Sequence, residues 1–421
     1  MANTNLPVLL GGIPIRTKPW EPYPKIMGAE LSYVQKLLET DQWFGGSFTK
    51  RFERVLAEYL GIQHAVTVNT GGMALQIALR TLGLRPGDEV LMQVDTCAAD
   101  AFAVFNAGLV PIFADSNPEK FTLDWDSAEE TVSARTKAII PVHIWGRPED
   151  LDRTREFAIR HNLIILDDSC LALGAEWRSK RTGTFGSAGV FSFGSLKPFQ
   201  AGGGAALVTD DGDLARELRV SRSWGEMQVE YGIRDQRELA WNGRVPEVVS
   251  AILIGQMEGY QEHLSRLQEN ASRLEEMIQD FPGIRLLAKD DRITSQAHTQ
   301  FRFNVDEKDL GMSRAIFARA LEVEALPLVW HGAFEPMTSL SFFRKGNWRT
   351  WAAGYPDLNR LEENYTRSYP GSEWGFNHVG MSIGRNVLCS GLGGLRDTAD
   401  ILERICVNAS RFSEVVLDSG S

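Results

Sequence analysis

This sequence of 421 residues has few cysteines, no excess of basic residues and no long apolar run. The four cysteines, Cys97, Cys170, Cys389 and Cys406, lie far apart and form no C-x-x-C pair, which argues against a disulfide framework and against a zinc site. Acidic residues outnumber basic ones, and the net charge of −11 would repel nucleic acid and anionic membranes. No stretch approaches the roughly 18 consecutive apolar residues of a membrane span. We therefore expect no metal, no nucleic-acid partner and no membrane partner.

The amino terminus also lacks the features of an export signal. MANTNLPVLLGG has no basic beginning and only a short apolar run, so we expect no signal peptide and a cytoplasmic location. A length of 421 residues exceeds one simple core and indicates two domains. We predict an amino-terminal arm and a large domain over residues 1–262, and a smaller α/β domain over residues 263–421.

Short apolar runs alternate with helical patterns through the first half of the chain. The runs are unbroken, as expected for strands of a sheet that is buried on both faces. They predict an α/β fold with a seven-stranded, mostly parallel, doubly wound sheet. The predicted strands are 64–69, 89–94, 110–115, 138–142, 163–168, 188–193 and 205–209. Farther on, three- and four-residue spacing predicts a long amphipathic helix that carries Leu264, Leu267, Ala271, Leu274 and Ile278.

Two residues at the ends of predicted strands suggest a specific chemistry. Asp168 closes one apolar strand, and Lys197 follows another through a short turn. Ligands of open α/β sheets bind at the carboxyl ends of the strands. A pyridoxal 5′-phosphate (PLP) enzyme needs a lysine that forms a Schiff base and a carboxylate that keeps the pyridine nitrogen protonated. Taken alone, such residues are more often a solvated surface lysine and an aspartate that caps the next helix.

Further motifs surround these two residues. The chain has DDSCLALGA from Asp167, GTFG from Gly183, FSFGSLK from Phe191 to Lys197, and GGGA from Gly202. Together these segments resemble the DegT/DnrJ/EryC1/StrS family of sugar and aminocyclitol aminotransferases, whose members are fold type I PLP enzymes. The resemblance covers nearly the whole chain. It implies PLP as the cofactor, with Lys197 and Asp168 as the catalytic residues.

The resemblance also implies the rest of the cofactor pocket. Gly71 and Gly72 match the turn that holds the PLP phosphate in the family, and they open a predicted helix, whose amino terminus favours anions. Ser192 is expected to supply a hydroxyl to the same phosphate. Asn242 matches an asparagine that reaches the phosphate from a neighbouring subunit. A homodimer with shared active sites is therefore implied.

Two positions depart from the family pattern. Cys97 stands where the family places an aromatic residue that stacks on the pyridine ring, and Leu171 stands where it places a glutamine that bonds the ring hydroxyl. A thiol packs less area than an aromatic ring, and leucine cannot donate a hydrogen bond. Both departures bear on the type of reaction that the pocket supports.

Three more residues are candidates for substrate contact. His143 follows a predicted strand and matches a family position near the pocket, although a structural histidine is the alternative. His331 lies in a segment where the family contacts substrate. Arg385 suits a carboxylate, because a guanidinium binds a carboxylate through two hydrogen bonds, although a surface arginine is the alternative.

These observations predict transfer of an amino group from glutamine or glutamate to a ketone of a cyclitol or sugar, in secondary-metabolite biosynthesis such as that of antibiotics. In the family, dehydratases generally replace the lysine with histidine, so Lys197 favours amino transfer. One alternative is a dehydrating or aromatising PLP enzyme resembling aminohydroxybenzoate synthase. A second is a catalytically silent regulatory paralogue, which the intact Lys197 and Asp168 argue against.

Overall fold

Helices and strands alternate through most of the chain. The structure, a computed structural model, describes residues 5–23, 26, 28–228, 234–236, 240–331 and 334–414. The helices are α1 Glu30–Leu38, α2 Ser47–Leu60, α3 Gly71–Thr81, α4 Ala98–Asn106, α5 Trp125–Thr131, α6 Leu151–His161, α7 Gly212–Arg222, α8 Glu247–Ile278, α9 Glu307–Leu310, α10 Arg314–Val323, α11 Ser341–Arg344, α12 Leu358–Thr366, α13 Pro370–Trp374, α14 Asn386–Cys389 and α15 Gly391–Val407. The strands are β1 His64–Val68, β2 Glu89–Gln93, β3 Val110–Ala114, β4 Thr136–Ile139, β5 Ile164–Asp168, β6 Glu176–Trp177, β7 Lys180–Arg181, β8 Ala188–Ser192, β9 Ala205–Thr209, β10 Glu226–Gln228, β11 Arg234–Gln236, β12 Ile284–Arg285, β13 Ile293–Ser295, β14 Gln300–Val305, β15 Trp330–His331 and β16 Gly380–Gly384.

A seven-stranded sheet forms the centre of the first half of the chain. Its strand order is β1-β9-β8-β5-β4-β2-β3. Only β9 opposes its neighbours; the remaining pairs in the sheet are parallel. Its strands are almost entirely buried, because helices cover both faces. The predicted seven-stranded, mostly parallel α/β sheet is therefore confirmed.

The two strands that carry the candidate chemistry are neighbours in this sheet. Asp168 of β5 pairs with Val190 of β8, so the turn that follows Ser192 begins beside Asp168. One predicted strand was misplaced: β4 ends at Ile139, not at Val142. Pro141 has no N–H with which to continue the hydrogen bonds between the strands. Val142 makes only an isolated bridge to Asp168.

A second, antiparallel sheet lies in the carboxyl-terminal half, with the strand order β12-β14-β16-β15. The long helix α8 carries the predicted apolar stripe, which is buried along its length. The predicted boundary at residues 262 and 263 falls inside α8, so this helix is shared by both halves. The amino-terminal arm was predicted to belong to the large domain. Its residues Leu9, Leu10 and Trp20 instead pack against the hydrophobic core around the second sheet. The division into two domains remains a prediction.

A segment from Met337 to Tyr369 packs back onto the large sheet. Its aromatic side chains join the core around β3. The side-chain amide of Asn364 donates to Phe113 O and accepts from Phe113 N, both at 2.9 Å, so it imitates a neighbouring strand. This cover protects the edge strand β3 from pairing with another chain.

None of the helices in the described ranges is both long and apolar enough to cross a bilayer.

Candidate active site

A cavity of about 230 Å³ opens at the carboxyl ends of β5 and β8. Most of the residues that the sequence singled out meet here. The cavity is lined by Gly71, Gly72, Leu75, Cys97, Ala99, Asp100, Val142, Ile144, Asp168, Cys170, Leu171, Ser192, Lys197 and Phe334. Its position agrees with the rule that open α/β sheets bind ligands outside the carboxyl ends of their strands.

Asp168 is fixed by its own backbone and by the turn that follows it. Its N–H donates to Pro141 O at 3.0 Å, and its Oδ1 accepts from the N–H of Cys170 at 2.9 Å. The side chain is almost fully buried and still lines the cavity. A buried carboxylate in this position can accept a hydrogen bond from a cationic ring N–H.

Lys197 reaches the cavity from a tight turn after β8. Its N–H donates to Gly194 O at 3.4 Å, and its carbonyl accepts from the hydroxyl of Tyr23 at 3.1 Å. Leu196, just before it, has φ of 65°, a left-handed conformation that a bulky residue seldom adopts. The surrounding contacts therefore hold the lysine turn in a strained shape, as is common at functional sites.

Gly71 and Ser192 come together at one end of the cavity. The chain enters α3 at Gly71, and the first N–H groups of a helix have no intrahelical acceptor. A Cβ on Gly71 would lie 3.1 Å from Cβ and 3.2 Å from Oγ of Ser192, closer than ordinary van der Waals contact, so a larger residue would have to displace Ser192 slightly. Helix amide groups beside a hydroxyl form a cradle for an anion.

His143 lies outside the cavity, against Asp167. Its Nδ1 accepts from the N–H of Glu149 at 2.9 Å, so Nε2 carries the hydrogen and donates to Asp167 Oδ1 at 2.7 Å. The ring is fully buried, and the structure does not bring it to the cavity wall. Asp167 also accepts from Ser169 Oγ and from the N–H of Gly183. The geometry makes His143 a residue that positions the end of β5.

Two thiols line the cavity. Burial, followed by the charge of Asp100, raises the pKa of Cys97. Burial, followed by the charge of Asp168, raises the pKa of Cys170 well above its usual value. Both groups are therefore thiols at neutral pH and poor nucleophiles. Together with Leu171, they give part of the cavity wall an apolar character.

Besides the aliphatic residues Leu75, Ala99, Val142 and Ile144, sequence reasoning missed Asp100, Cys170 and Phe334 of the wall. Asp100 carried a signal, because it is the one charged residue in the apolar helix α4. Cys170 lies within a motif already singled out and could have been included. Phe334 arrives from the carboxyl-terminal half, where Met337 N donates to Val94 O at 2.7 Å. No local pattern links that segment to the cavity.

Two further candidates, Asn242 and Arg385, are not among the lining residues. Asn242 is exposed and forms a bridge with Ser223. The backbone of His331 ends β15, and its side chain lies outside the part of the chain that the structure describes. Arg385 is buried with its guanidinium 4.1 Å from the ring centre of Tyr23, the residue that also bonds the carbonyl of Lys197.

Comparison with known proteins decides the family. The model of the DegT/DnrJ/EryC1/StrS aminotransferase family matches residues 24–349, more than half of the chain. The chain belongs to this family. It is 36% identical over 250 residues to GDP-perosamine synthase of Caulobacter vibrioides, covering 58% of this chain and 65% of that protein. It is 29% identical over 360 residues to L-glutamine:2-deoxy-scyllo-inosose aminotransferase of Streptomyces lividus, covering 82% and 84%.

Solved aminotransferases of this family share the fold. The structure of DesI in the presence of its TDP-sugar product superposes with a TM-score of 0.80 at 26% identity, covering 98% of this chain and 99% of that chain. The chain is therefore a PLP-dependent aminotransferase, and the names of its relatives favour amino transfer over a dehydrating reaction.

The residues of the cavity fit PLP in three respects. The cradle of Gly71, Gly72 and Ser192 suits its phosphate, because the cradle offers N–H and O–H donors at a helix amino terminus. The amine of Lys197 suits its aldehyde, and the carboxylate of Asp168 suits its pyridine nitrogen. These three groups belong to one cavity, so a single molecule of PLP can engage all of them.

Proposed function

We propose that this enzyme transfers the amino group of glutamine or glutamate to a ketone carbon of a cyclitol or sugar. The product would serve the biosynthesis of a secondary metabolite that contains an aminocyclitol or amino sugar, such as an antibiotic. The observation that carries the proposal is the meeting of Lys197, Asp168 and the anion cradle in one cavity. The acceptor class is supported by relatives named for a keto-cyclitol and for a nucleotide-linked amino sugar.

Each residue of the cavity has a role in this proposal. Bound PLP supplies an electron sink for negative charge at the α-carbon of the amino donor. Lys197 Nζ is the covalent attachment point and, once displaced, the base that moves the donor's α-proton. Asp168 keeps a proton on the ring nitrogen, because an opposite charge at hydrogen-bonding distance favours the protonated form. Gly71, Gly72 and Ser192 hold the phosphate.

Arg385 is the proposed anchor for the donor's carboxylate. Its Nε donates to Thr299 O at 3.0 Å, while Nη1 is buried with no hydrogen-bond partner among the described residues. A buried guanidinium N–H without a partner is costly, so an incoming carboxylate would be bound strongly. The guanidinium also lies near Leu196 O, in the turn that presents Lys197.

For the acceptor, His331 remains our proposed contact with a hydroxyl of the cyclitol or sugar. His143, in contrast, acts through Asp167 in this proposal and touches no substrate. Its two ring nitrogens are already engaged by Glu149 and Asp167. Cys97, Cys170 and Leu171 present an apolar wall to the ring of the cofactor.

The proposal includes a homodimer in which Asn242 reaches the phosphate site of the partner. Asn242 is exposed and does not line the cavity of its own chain. Trp224 lies near Asn242 in the fold, since its N–H donates to Trp241 O, and its side chain is half exposed. The side chains of Trp43 and Phe44 are also half exposed, and the guanidinium of Arg244 lies over the Phe44 ring. Exposed aromatic residues of this size are typical of subunit interfaces. We also propose a cytoplasmic location, supported by four free cysteines.

One experiment separates the proposed reaction from its rivals. The purified PLP-loaded enzyme is incubated with glutamine labelled with 15N at the α-amino group and with a panel of acceptors: 2-deoxy-scyllo-inosose and nucleotide-linked 4-keto and 3-keto sugars. Mass spectrometry should detect a 15N-amino product with one acceptor class and none with the Lys197→Ala variant. Loss of water from an acceptor without gain of nitrogen would instead establish a dehydratase.

A further inference from the structure

A second carboxyl group, that of Asp100, lies in the cavity beside Asp168. Asp100 is the third residue of α4, and its side chain is 1% exposed. Its Oδ2 accepts a hydrogen bond of 2.5 Å from the hydroxyl of Thr96. Asp100 and Asp168 both line this cavity, and the charge of Asp168 acts directly on the Asp100 carboxyl group. Nothing in the roles given so far uses Asp100.

Two buried carboxyl groups that share one cavity of about 230 Å³ cannot both carry a charge at low cost. Burial, followed by the charge of Asp168 and a hydrogen bond with it, raises the pKa of Asp100 well above its usual value. The other titratable groups that face Asp100 are Lys197, Cys97 and Cys170. Lys197 and the helix amino terminus favour a charged Asp100, but burial and the charge of Asp168 outweigh the effect of Lys197.

One buried oxygen of the pair lacks a hydrogen bond, and a single proton would supply it. Asp100 Oδ1 is buried and has no hydrogen-bond partner among the described residues, whereas Oδ2 is occupied by Thr96. Asp168 Oδ1 is occupied by the N–H of Cys170. A hydrogen on Oδ1 of Asp100 could be donated to the carboxylate of Asp168. A buried polar atom would then be satisfied, and the two like charges would be reduced to one.

We infer that Asp100 is a neutral carboxylic acid that donates a hydrogen bond to Asp168 and positions that carboxylate toward the ring nitrogen of the cofactor. The part of this inference that concerns the cofactor rests on the proposed function of the cavity. Asp100 is a positioning residue, because it acts through Asp168. The pair presents a single negative charge to the ring nitrogen, held in one orientation by donors on both sides: Cys170 N–H and Asp100.

The protonation state is tested on the protein without PLP, by measuring its free energy of unfolding in urea between pH 4.5 and pH 8.5. The folded protein keeps the Asp100 proton at pH values where the unfolded chain has lost it, so this group lowers stability as pH rises. In Asp100→Asn that contribution is absent, so the wild type should lose stability with rising pH relative to this variant. Parallel curves for the two proteins would overturn the neutral acid.

Asp95 offers a matched control. It is equally buried, burial raises its pKa to about 7, and it accepts from Ser116 and Gln93 rather than from the cavity. Asp95→Asn should therefore also change the dependence of stability on pH. It should leave the visible absorbance of bound PLP as in the wild type. This control separates the general effect of a buried acid from an effect on the cofactor.

The positioning role is tested on the PLP-loaded enzyme. An asparagine amide can donate to Asp168 as the acid does, so Asp100→Asn should keep turnover within about threefold of the wild type and keep its PLP absorbance. Asp100→Ala removes the donor and should lower turnover by about tenfold or more and shift the PLP band, because misplaced catalytic groups cost that much. Wild-type behaviour of Asp100→Ala, or equal loss in both variants, would overturn the role. If the wild type itself bound no PLP, the proposed function would fail, while the urea experiment would still decide the proton.

Discussion

The ring of His143 donates a hydrogen bond of 2.7 Å to the carboxylate of Asp167, and both residues are fully buried outside the cavity. Asp168, the next residue, lines the cavity instead. Adjacent residues of a strand point to opposite faces, so β5 presents one carboxylate to the protein interior and one to the ligand site. The two aspartates therefore differ in role although they are neighbours in sequence.

This difference predicts distinct effects of the two amide substitutions. Asp168→Asn should lower turnover by several orders of magnitude while PLP remains bound, because the ring nitrogen loses its anionic partner. Asp167→Asn should mainly lower the free energy of unfolding, by about 1–3 kcal/mol, because an acceptor of buried hydrogen bonds is altered. Turnover, PLP content and urea unfolding of both variants are the measurements. A more severe loss of turnover in Asp167→Asn would show that the cofactor lies on the other face of the strand.

Lys197 is predicted to carry the covalent link to PLP. The wild-type enzyme should have a visible absorption band that shifts when glutamine is added, and borohydride should fix the cofactor to the peptide that contains Lys197. Lys197→Ala should lose the fixed cofactor and turnover. Lys180, on the short strand β7, provides a control, since Lys180→Ala should retain both. Full activity of Lys197→Ala would contradict the mechanism.

Arg385 is predicted to bind the donor and not the acceptor. Arg385→Gln should raise KM for glutamine by roughly tenfold to a hundredfold, the effect of losing about 1.5–3 kcal/mol from a charged hydrogen bond. Its KM for the acceptor should change little. Arg314 is a suitable control, because its guanidinium is satisfied by the carbonyls of Phe376, Asn377 and Gly380. Arg314→Gln should lower stability and leave KM for glutamine unchanged; the same KM change in both variants would rule out a specific anchor.

Asn242 is predicted to link cofactor retention to assembly. Sedimentation should find a dimer at working concentrations, and Asn242→Ala should release PLP faster during dialysis because one donor to the partner's phosphate site is lost. Asn106, an exposed residue at the end of α4, serves as the control, and Asn106→Ala should retain PLP as the wild type does. A monomer that holds PLP as tightly as the dimer would disprove the shared site.

The buried carboxyl group of Glu149 should make the free energy of unfolding depend on pH. Burial raises its pKa to about 7, against backbone hydrogen bonds from Leu123 and Asp150 that lower it. The folded protein thus holds this proton up to higher pH than the unfolded chain, and stability falls as pH rises from about 4.5 to about 7. The difference in unfolding free energy between wild type and Glu149→Gln should decline over this window by at most about 3 kcal/mol and then level off. Glu156→Gln, an exposed change on α6, should produce no such decline; a flat difference for Glu149→Gln would refute the buried acid.

The sequence by itself determined the sheet, its buried strands and half of the residues that line the cavity. Unbroken apolar runs with interleaved helices specify a sheet covered on both faces, because side chains on both faces of such strands are apolar and must be buried. The ends of those runs then place Asp168, Ser192 and Lys197 at one edge of the sheet. The sheet follows from local periodicity and from the geometry of parallel strands, whereas Gly71, Gly72, Cys97 and Leu171 were predicted from the motifs shared with the family.

Only the tertiary structure decided which distant residues meet at that edge. Asp100 lies beside Asp168, Phe334 enters the wall of the cavity, and Arg385 and Tyr23 stack next to the lysine turn. His143, similar to the others in its sequence setting, lies outside the cavity. The physical reason is that the packing of helices and strands sets these distances, and no periodic pattern encodes them. A carboxyl group's charge then follows from its burial and its neighbours, which exist only once the chain has folded.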